Sequence, residues 1–208
     1  MAESAELADP APQPAEEAHL ASRRHAPGRA AEFRAGRACA RRAMRALGLP
    51  DAPLLPDETR APVWPAGVVG SITHCAGYCA AAAAKARDLA ALGIDAEAHG
   101  SFPHDVARRV AAAAEIASFA RFVASPDIAA CAVFSAKESL YKAVFPLSRT
   151  FLDFDEVMVV AEGPGRFSAI CLNVAVAPLV AQVVGRLSVG PRHVFTTAII
   201  PAAPGARP

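Results

Sequence analysis

The sequence predicts an α+β fold made of two similar half-domains, related by an approximate two-fold, each a helix packed on a small antiparallel sheet with the active site in the cleft between them. Three observations carry this. Helical stretches come ahead of a run of strand-like segments that fills the end of the chain, an order that favours α+β over an alternating parallel sheet. Both halves share one plan, helix then strands, although no fixed-period repeat links them. Two acids, Asp95 and Glu97, fall near the midpoint of the 208 residues, where a cleft between halves commonly takes a ligand.

In chain order, residues 1–22 are rich in Ala, Pro and Glu without periodicity and read as a disordered tail. The first half-domain spans 23–98 and the second 99–208. Ala30 to Leu47 repeats apolar and alanine positions at helical spacing, and Gly48 with Pro50 is a stop signal. Pro50 to Pro65 is a proline-rich loop with one large anchor, Trp64. Val68 to His74 reads as a strand ending in polar groups. Tyr78 to Ala86 is ambiguous, because alanine favours helix; the short distance to the next apolar run makes it a strand. Leu89 to Ala96 is the strand that carries the acids. Asp105 to Ala124 reads as a helix, and Ser125-Pro126-Asp127 opens another that runs to about Val144, with Pro146 as its stop. Phe151 to Val160, Phe167 to Val176, Leu179 to Leu187 and His193 to Pro201 read as consecutive strands between Gly and Pro signals.

Composition narrows the function classes. The chain is 53% hydrophobic, so it can bury a core, though much of that is alanine. A net charge of +1 gives no global field for nucleic acid. Eight arginines between Arg23 and Arg45 are crowded together, but stacking aromatics are lacking there. Five scattered cysteines do not form a disulfide pattern and fit a reducing, cytoplasmic setting. A basic and apolar leader is not seen, and no run reaches the roughly 18 apolar residues of a membrane span.

Two short stretches carry chemistry. In Gly93-Ile94-Asp95-Ala96-Glu97 the acids sit two residues apart at a strand end, where such residues share a face. In Phe134-Ser135-Ala136-Lys137-Glu138-Ser139-Leu140-Tyr141-Lys142, Glu138 and Lys142 are one helical turn apart. Alone, these read as solvated acids and an ordinary surface ion pair. Together, Asp95, Glu97 and Glu138 could converge on one hard cation, with Lys142 beside its anion. Mg²⁺ takes oxygen ligands and is usually completed by substrate phosphates, which points to phosphoryl chemistry. His74, Cys75 and Cys79 have no partner pair at zinc-site spacing. Ser139 and Lys142 spell the Ser-x-x-Lys of penicillin-recognising hydrolases, but the Lys-Thr-Gly and Ser-Asp-Asn elements are missing.

These stretches, together with Glu32-Phe33-Arg34-Ala35-Gly36-Arg37 and Trp64-Pro65-Ala66-Gly67-Val68-Val69-Gly70-Ser71-Ile72-Thr73-His74-Cys75, resemble the phosphopantetheinyl transferases of the surfactin and enterobactin-synthetase type. The likeness runs from about Arg24 to Pro201, and Phe145-Pro146-Leu147 with Phe151-Leu152-Asp153-Phe154 resembles the actinobacterial branch. It implies Mg²⁺-dependent transfer of the phosphopantetheine arm of coenzyme A to a serine of an acyl or peptidyl carrier protein, with release of adenosine 3′,5′-bisphosphate. It implies Asp95, Glu97 and Glu138 as metal ligands and Lys142 as a phosphate contact. Ser71 and His74 fall in the block that holds the 3′-phosphate, Arg37 matches a basic coenzyme A contact, and Arg60 is a further candidate. Thr73 stands where a serine is commoner, and Glu115 is a possible auxiliary acid. Glu138, directly or through a metal-bound water, is the candidate base. Exposed arginines such as Arg41 and Arg42 could steer an acidic carrier. Trp64 reads as a packing anchor that could border the adenine. Two half-domains supplying one cleft suggest a monomer. The alternative is a non-catalytic coenzyme A or nucleotide binder with a decayed site.

Overall fold

The structure, a computed structural model, describes residues 13–22, 28–99 and 109–203, and the backbone of 2–4. It is α+β with antiparallel sheets. A three-stranded sheet has the order β1-β3-β2, from β1 (Ala2–Ser4), β2 (Val68–Cys75) and β3 (Tyr78–Lys85). A five-stranded sheet has the order β4-β8-β7-β6-β5, from β4 (Leu89–Ala98), β5 (Val157–Gly163), β6 (Arg166–Cys171), β7 (Val184–Val189) and β8 (His193–Pro201). The acid-bearing strand β4 thus hydrogen-bonds into the second sheet, although it precedes residue 99 in the chain. Among the described residues no helix is long and apolar enough to cross a membrane.

Helix α1 (Pro14–Ala21) stands where the sequence suggested a disordered tail. The correction has a cause far away in the chain. Glu16 is buried, ion-pairs with buried Arg41, and accepts the Leu54 N–H at 3.0 Å. Glu17 takes both Arg34 nitrogens, at 2.6 and 2.9 Å, and His19 stacks on Phe33. A buried cation and a buried amide both need a partner, and Glu16 serves both.

Helix α2 (Arg29–Ala46) starts after Gly28 in the left-handed region and stops at Gly48, also left-handed. Beside the larger Arg37, Arg41 and Met44, its buried residues are small: Ala35, Gly36, Ala38, Cys39, Ala40 and Ala43. A side chain at Gly36 would meet Ile72 of β2, so the small face lets α2 lie close on the sheet. The alanine-rich β3 is a strand, as its position implied. It gains all its ladder bonds between β1 and β2, and burial against α2 outweighs alanine's helical preference.

The long helix α4 (Pro126–Ser148) follows a shorter α3 (Ala113–Ala120). Ser125 caps α4 by accepting the Ile128 N–H, and Pro126 occupies its first turn. Pro146 lies inside the last turn rather than before it, and Arg149 closes the helix in the left-handed region. The expected helix from Asp105 to Ala124 is interrupted: residues 109–110 are helical, 111–112 are not, and α3 follows; positions 105–108 lie outside the described residues. Glu115 on α3 is buried and ties three elements: it pairs with buried Lys137 of α4 at 3.0 Å and accepts the Ala112 and Val159 amides. Its role is therefore structural, which removes it as an auxiliary site acid.

Strands β5, β6 and β7 are shorter than the sequence suggested, while β8 has the expected bounds. Residues 151–156 form a loop, with Lys137 Nζ on the Phe154 carbonyl at 2.7 Å. After β6, Asn173 takes the Ala175 amide and opens a turn, and Pro178 enters a short helix α5 (Ala177–Val180), so the segment from Leu179 is helix first and strand β7 after.

Glu16→Ala should lower folding stability by about 3–5 kcal/mol, because it breaks the buried ion pair with Arg41 and leaves that guanidinium the exposed Asp51 at 3.6 Å as its acid. Urea unfolding measures this; a change within about 0.5 kcal/mol, the level of an ordinary surface substitution, would show that α1 is not part of the core.

Candidate active site

The site forms where α4 lies across β4. Gly93 makes this contact possible. A side chain there would overlap the Ser139 carbonyl oxygen and come within 2.7 Å of the Ala143 amide nitrogen. With the backbones this close, the face of β4 that includes Gly93 also brings Asp95 to α4. Lys142 Nζ donates to Asp95 Oδ1 at 2.6 Å and to the Ile94 carbonyl at 3.3 Å. The Ser139 hydroxyl is fully buried and donates to Ala136 of its own helix, so it is no nucleophile.

Strand β2 meets the free edge of β4 through side chains. Ser71 Oγ accepts the Ile94 N–H at 3.0 Å and Thr73 Oγ1 accepts the Ala96 N–H at 3.1 Å. Thr73 also donates to Asp95 Oδ1 at 3.1 Å. These hydroxyls satisfy amides that β8, bonded along the other edge, cannot reach.

A cavity of about 760 Å³ opens at this seam. Every residue singled out for the site lines it: Asp95, Glu97, Glu138, Lys142, Arg37, Arg60, Ser71 and His74. Trp64 lines it too, its ring packed on Gly70, where a Cβ would sit 2.5 Å away. The volume falls in the range of small-molecule sites.

The acids are held at a cost. Burial, and then the Asp95 carboxylate, push the Glu97 carboxyl up to about 7, with Glu138 adding to the rise and Lys142 opposing it. Burial raises Glu138 as well, against the pull of Lys142. Asp95 is 5% exposed, and its Oδ2 is buried without a hydrogen-bond partner. Such an orphaned anionic oxygen is expensive in a protein interior. The donor set, all carboxylate oxygen, suits a hard divalent cation. Among the described residues, no three His, Cys, Asp or Glu side chains stand as a ready-made ligand set. The acids share one cavity, and Lys142 holds the Asp95 oxygen nearest it.

On the basic side, burial draws the His74 imidazole below its ordinary range, with Glu32 opposing and Arg29 and Lys142 adding. His74 Nε2 lies 3.5 Å from Arg29 Nη1. Arg37 is buried, lies over the Phe33 ring at 4.3 Å and donates to the Leu54 carbonyl at 2.6 Å. Burial pulls its guanidinium down to about 10, which leaves it charged at neutral pH. Arg60 is exposed with φ 71°, at the tip of a loop folded around Asp57.

Three charged lining residues were not singled out from the sequence. Arg29 faces His74. Arg149 and Asp57, both on the cavity wall, pair at 2.7 Å. The Thr59 hydroxyl, and then Arg149, hold the Asp57 carboxyl down at about 2. Nothing local marks this pair, because its members are 92 residues apart. The arginines proposed for steering divide: Arg42 is exposed, but Arg41 is buried on Glu16 and cannot serve. Cys79 is buried, and burial first, then Glu97, pushes the Cys75 thiol up to about 11.

The profile described as the 4′-phosphopantetheinyl transferase N-terminal domain matches residues 15–84, and that of the 4′-phosphopantetheinyl transferase superfamily matches residues 91–190. The chain belongs to the 4′-phosphopantetheinyl transferase superfamily. It is 48% identical over 159 residues to the 4′-phosphopantetheinyl transferase Svp of Streptomyces mobaraensis, covering 75% of this chain and 64% of that protein. It is 40% identical over 131 residues to PptT of Mycobacterium tuberculosis (63% of this chain, 58% of that protein). It is 40% identical over 167 residues to Npt of Nocardia iowensis (77% and 72%). The chain thus spans less than two thirds of the length of the first two.

Gly93→Ala should force β4 and α4 apart. The expected loss is at least the roughly 1–3 kcal/mol of core overpacking, since the obstacle is backbone on both sides. Thermal unfolding measures it; an unchanged midpoint would show that the seam can yield.

Proposed function

We propose that the chain transfers the 4′-phosphopantetheine arm of coenzyme A to a serine hydroxyl of an apo acyl or peptidyl carrier protein, with Mg²⁺ as cofactor. The observation that supports this is one cavity lined both by the carboxylates Asp95, Glu97 and Glu138 and by the basic side chains Lys142, His74, Arg37 and Arg60, in a chain of this superfamily. Coenzyme A carries complementary groups, a pyrophosphate and a ribose 3′-phosphate.

In this reading Asp95, Glu97 and Glu138 hold Mg²⁺, which supplies charge neutralisation at the pyrophosphate. Glu138 accepts the proton of the carrier serine as its oxygen attacks the β-phosphorus. The bond from that phosphorus to the bridging oxygen breaks, and adenosine 3′,5′-bisphosphate leaves. Lys142 gives up Asp95 and turns to the pyrophosphate, where its charge steadies the leaving group. His74, Arg37 and Arg60 take the 3′-phosphate. Ser71 accepts the Ile94 amide and keeps a hydroxyl hydrogen to donate. His74, held toward the neutral form by burial, gains a proton more readily once the phosphate dianion is beside it.

The test is mass spectrometry of an apo-carrier incubated with the protein, coenzyme A and Mg²⁺. A mass gain equal to the phosphopantetheine arm is the expected result. Coenzyme A binding without transfer to any of several carriers would favour the non-catalytic binder. Asp95→Ala and Glu138→Ala should each lower transfer by about 10²–10³-fold, as lost transition-state electrostatics do, while circular dichroism stays unchanged. Turnover retained in either variant would refute the ligand assignment. Lys142→Ala should lower the rate with little change in Mg²⁺ affinity.

A further inference from the structure

Asp95 is bonded asymmetrically. Its Oδ1 takes two donors, Thr73 Oγ1 at 3.1 Å and Lys142 Nζ at 2.6 Å, while Oδ2 takes none. Rotating the carboxylate would break both bonds at once. The two donors differ in permanence. Lys142 has a flexible stem, is 28% exposed, and is the residue expected to turn to phosphate. Thr73 is 3% exposed, sits within strand β2, and is stiff at its first side-chain torsion. Its hydroxyl is fixed from a second side because it accepts the Ala96 N–H at 3.1 Å. That leaves one proton, and it points at Asp95 Oδ1. Ser71, the sister hydroxyl of the seam, bonds the Ile94 amide, and no bond from it to a carboxylate is seen.

We infer that Thr73 is a positioning residue: its hydroxyl holds Asp95 Oδ1 and so leaves Oδ2 as the oxygen presented to a divalent cation. The inference rests on the cation-binding reading above. Where a metal-ligating carboxylate is itself hydrogen-bonded, loss of that partner typically weakens metal binding by about 10–100-fold.

The test compares wild type, Thr73→Val and Thr73→Ser. Mg²⁺ is titrated calorimetrically into protein held with excess coenzyme A, and the heat of Mg²⁺ binding to coenzyme A alone is subtracted. Thr73→Val, which keeps the shape and loses the hydroxyl, should weaken Mg²⁺ binding by about 10–100-fold. Thr73→Ser, which restores the hydroxyl, should recover most of that loss. A folded Thr73→Val with wild-type affinity overturns the role of Thr73 and leaves the cation site standing. A wild-type protein that takes up no Mg²⁺ overturns the cation reading, and this inference falls with it. A crystal structure of the wild type with Mg²⁺ gives an answer that does not need Thr73→Val to fold. Oδ2 on the ion with Thr73 still on Oδ1 supports the inference; Oδ1 on the ion with the Thr73 bond broken overturns it.

Discussion

The close crossing of α4 over β4 at Gly93 is the constraint on which the rest of the site depends. A strand and a helix normally keep the distance of their side chains. Here one position without a side chain faces the backbone of Ser139 and Ala143. The approach lets a short lysine-to-aspartate bond form between elements 47 residues apart in the chain. The helix face around it is small, with Ala132, Ala136, Ser139 and Ala143 fully buried. Alanine is thus more than filler in this sequence. It permits contact distances that larger apolar residues would forbid. The loss is apolar area, since each alanine buries little. Buried polar ties such as Glu115 with Lys137 and Glu16 with Arg41 accordingly join elements that the thin core alone holds less firmly.

Charge inside the cavity is arranged locally, and the net +1 of the chain hides it. Lys142 is the hinge of that arrangement. Its field opposes the rise of Glu97 and Glu138 and adds to the fall of His74. One ammonium group therefore couples the acidic and basic parts. Without a ligand it compensates Asp95. A polyanionic ligand and a divalent cation would between them take over both of its duties. The neutral-leaning His74 fits the same logic, because Arg29 and Lys142 already supply positive charge around it.

Much of this was legible in the chain because it rests on local chemistry. The Ser125-Pro126-Asp127 start of α4, the Gly48 stop of α2 and the spacing of Glu138 and Lys142 all act within a turn or two. The strand character of Tyr78 to Lys85 was legible from position rather than propensity. What escaped depended on distant partners. Residues 14–21 look like tail because their polar composition finds its purpose only when Arg41 and the Leu54 amide are nearby. The steering role considered for Arg41 failed for the same reason. Leu179 to Leu187 has strand composition throughout, yet the Asn173 turn and Pro178 set its first part into a helix. The family likeness of the Ser-Ile-Thr-His block indicated a phosphate site, but not that Ser71 and Thr73 also stitch two strands together by their hydroxyls.

The anchoring of α1 bears on how this protein can be shortened. Trimming up to Ser22, as composition alone would invite, discards the only acid seen bonded to both the Arg41 guanidinium and the Leu54 amide. The trimmed product would also lose β1 from the three-stranded sheet, and the buried Arg41 of α2 would exchange its Glu16 partner for the exposed Asp51 at 3.6 Å. Boundaries for a minimal soluble version therefore belong ahead of Gln13, whose own amide is held at 3.4 Å by that same glutamate.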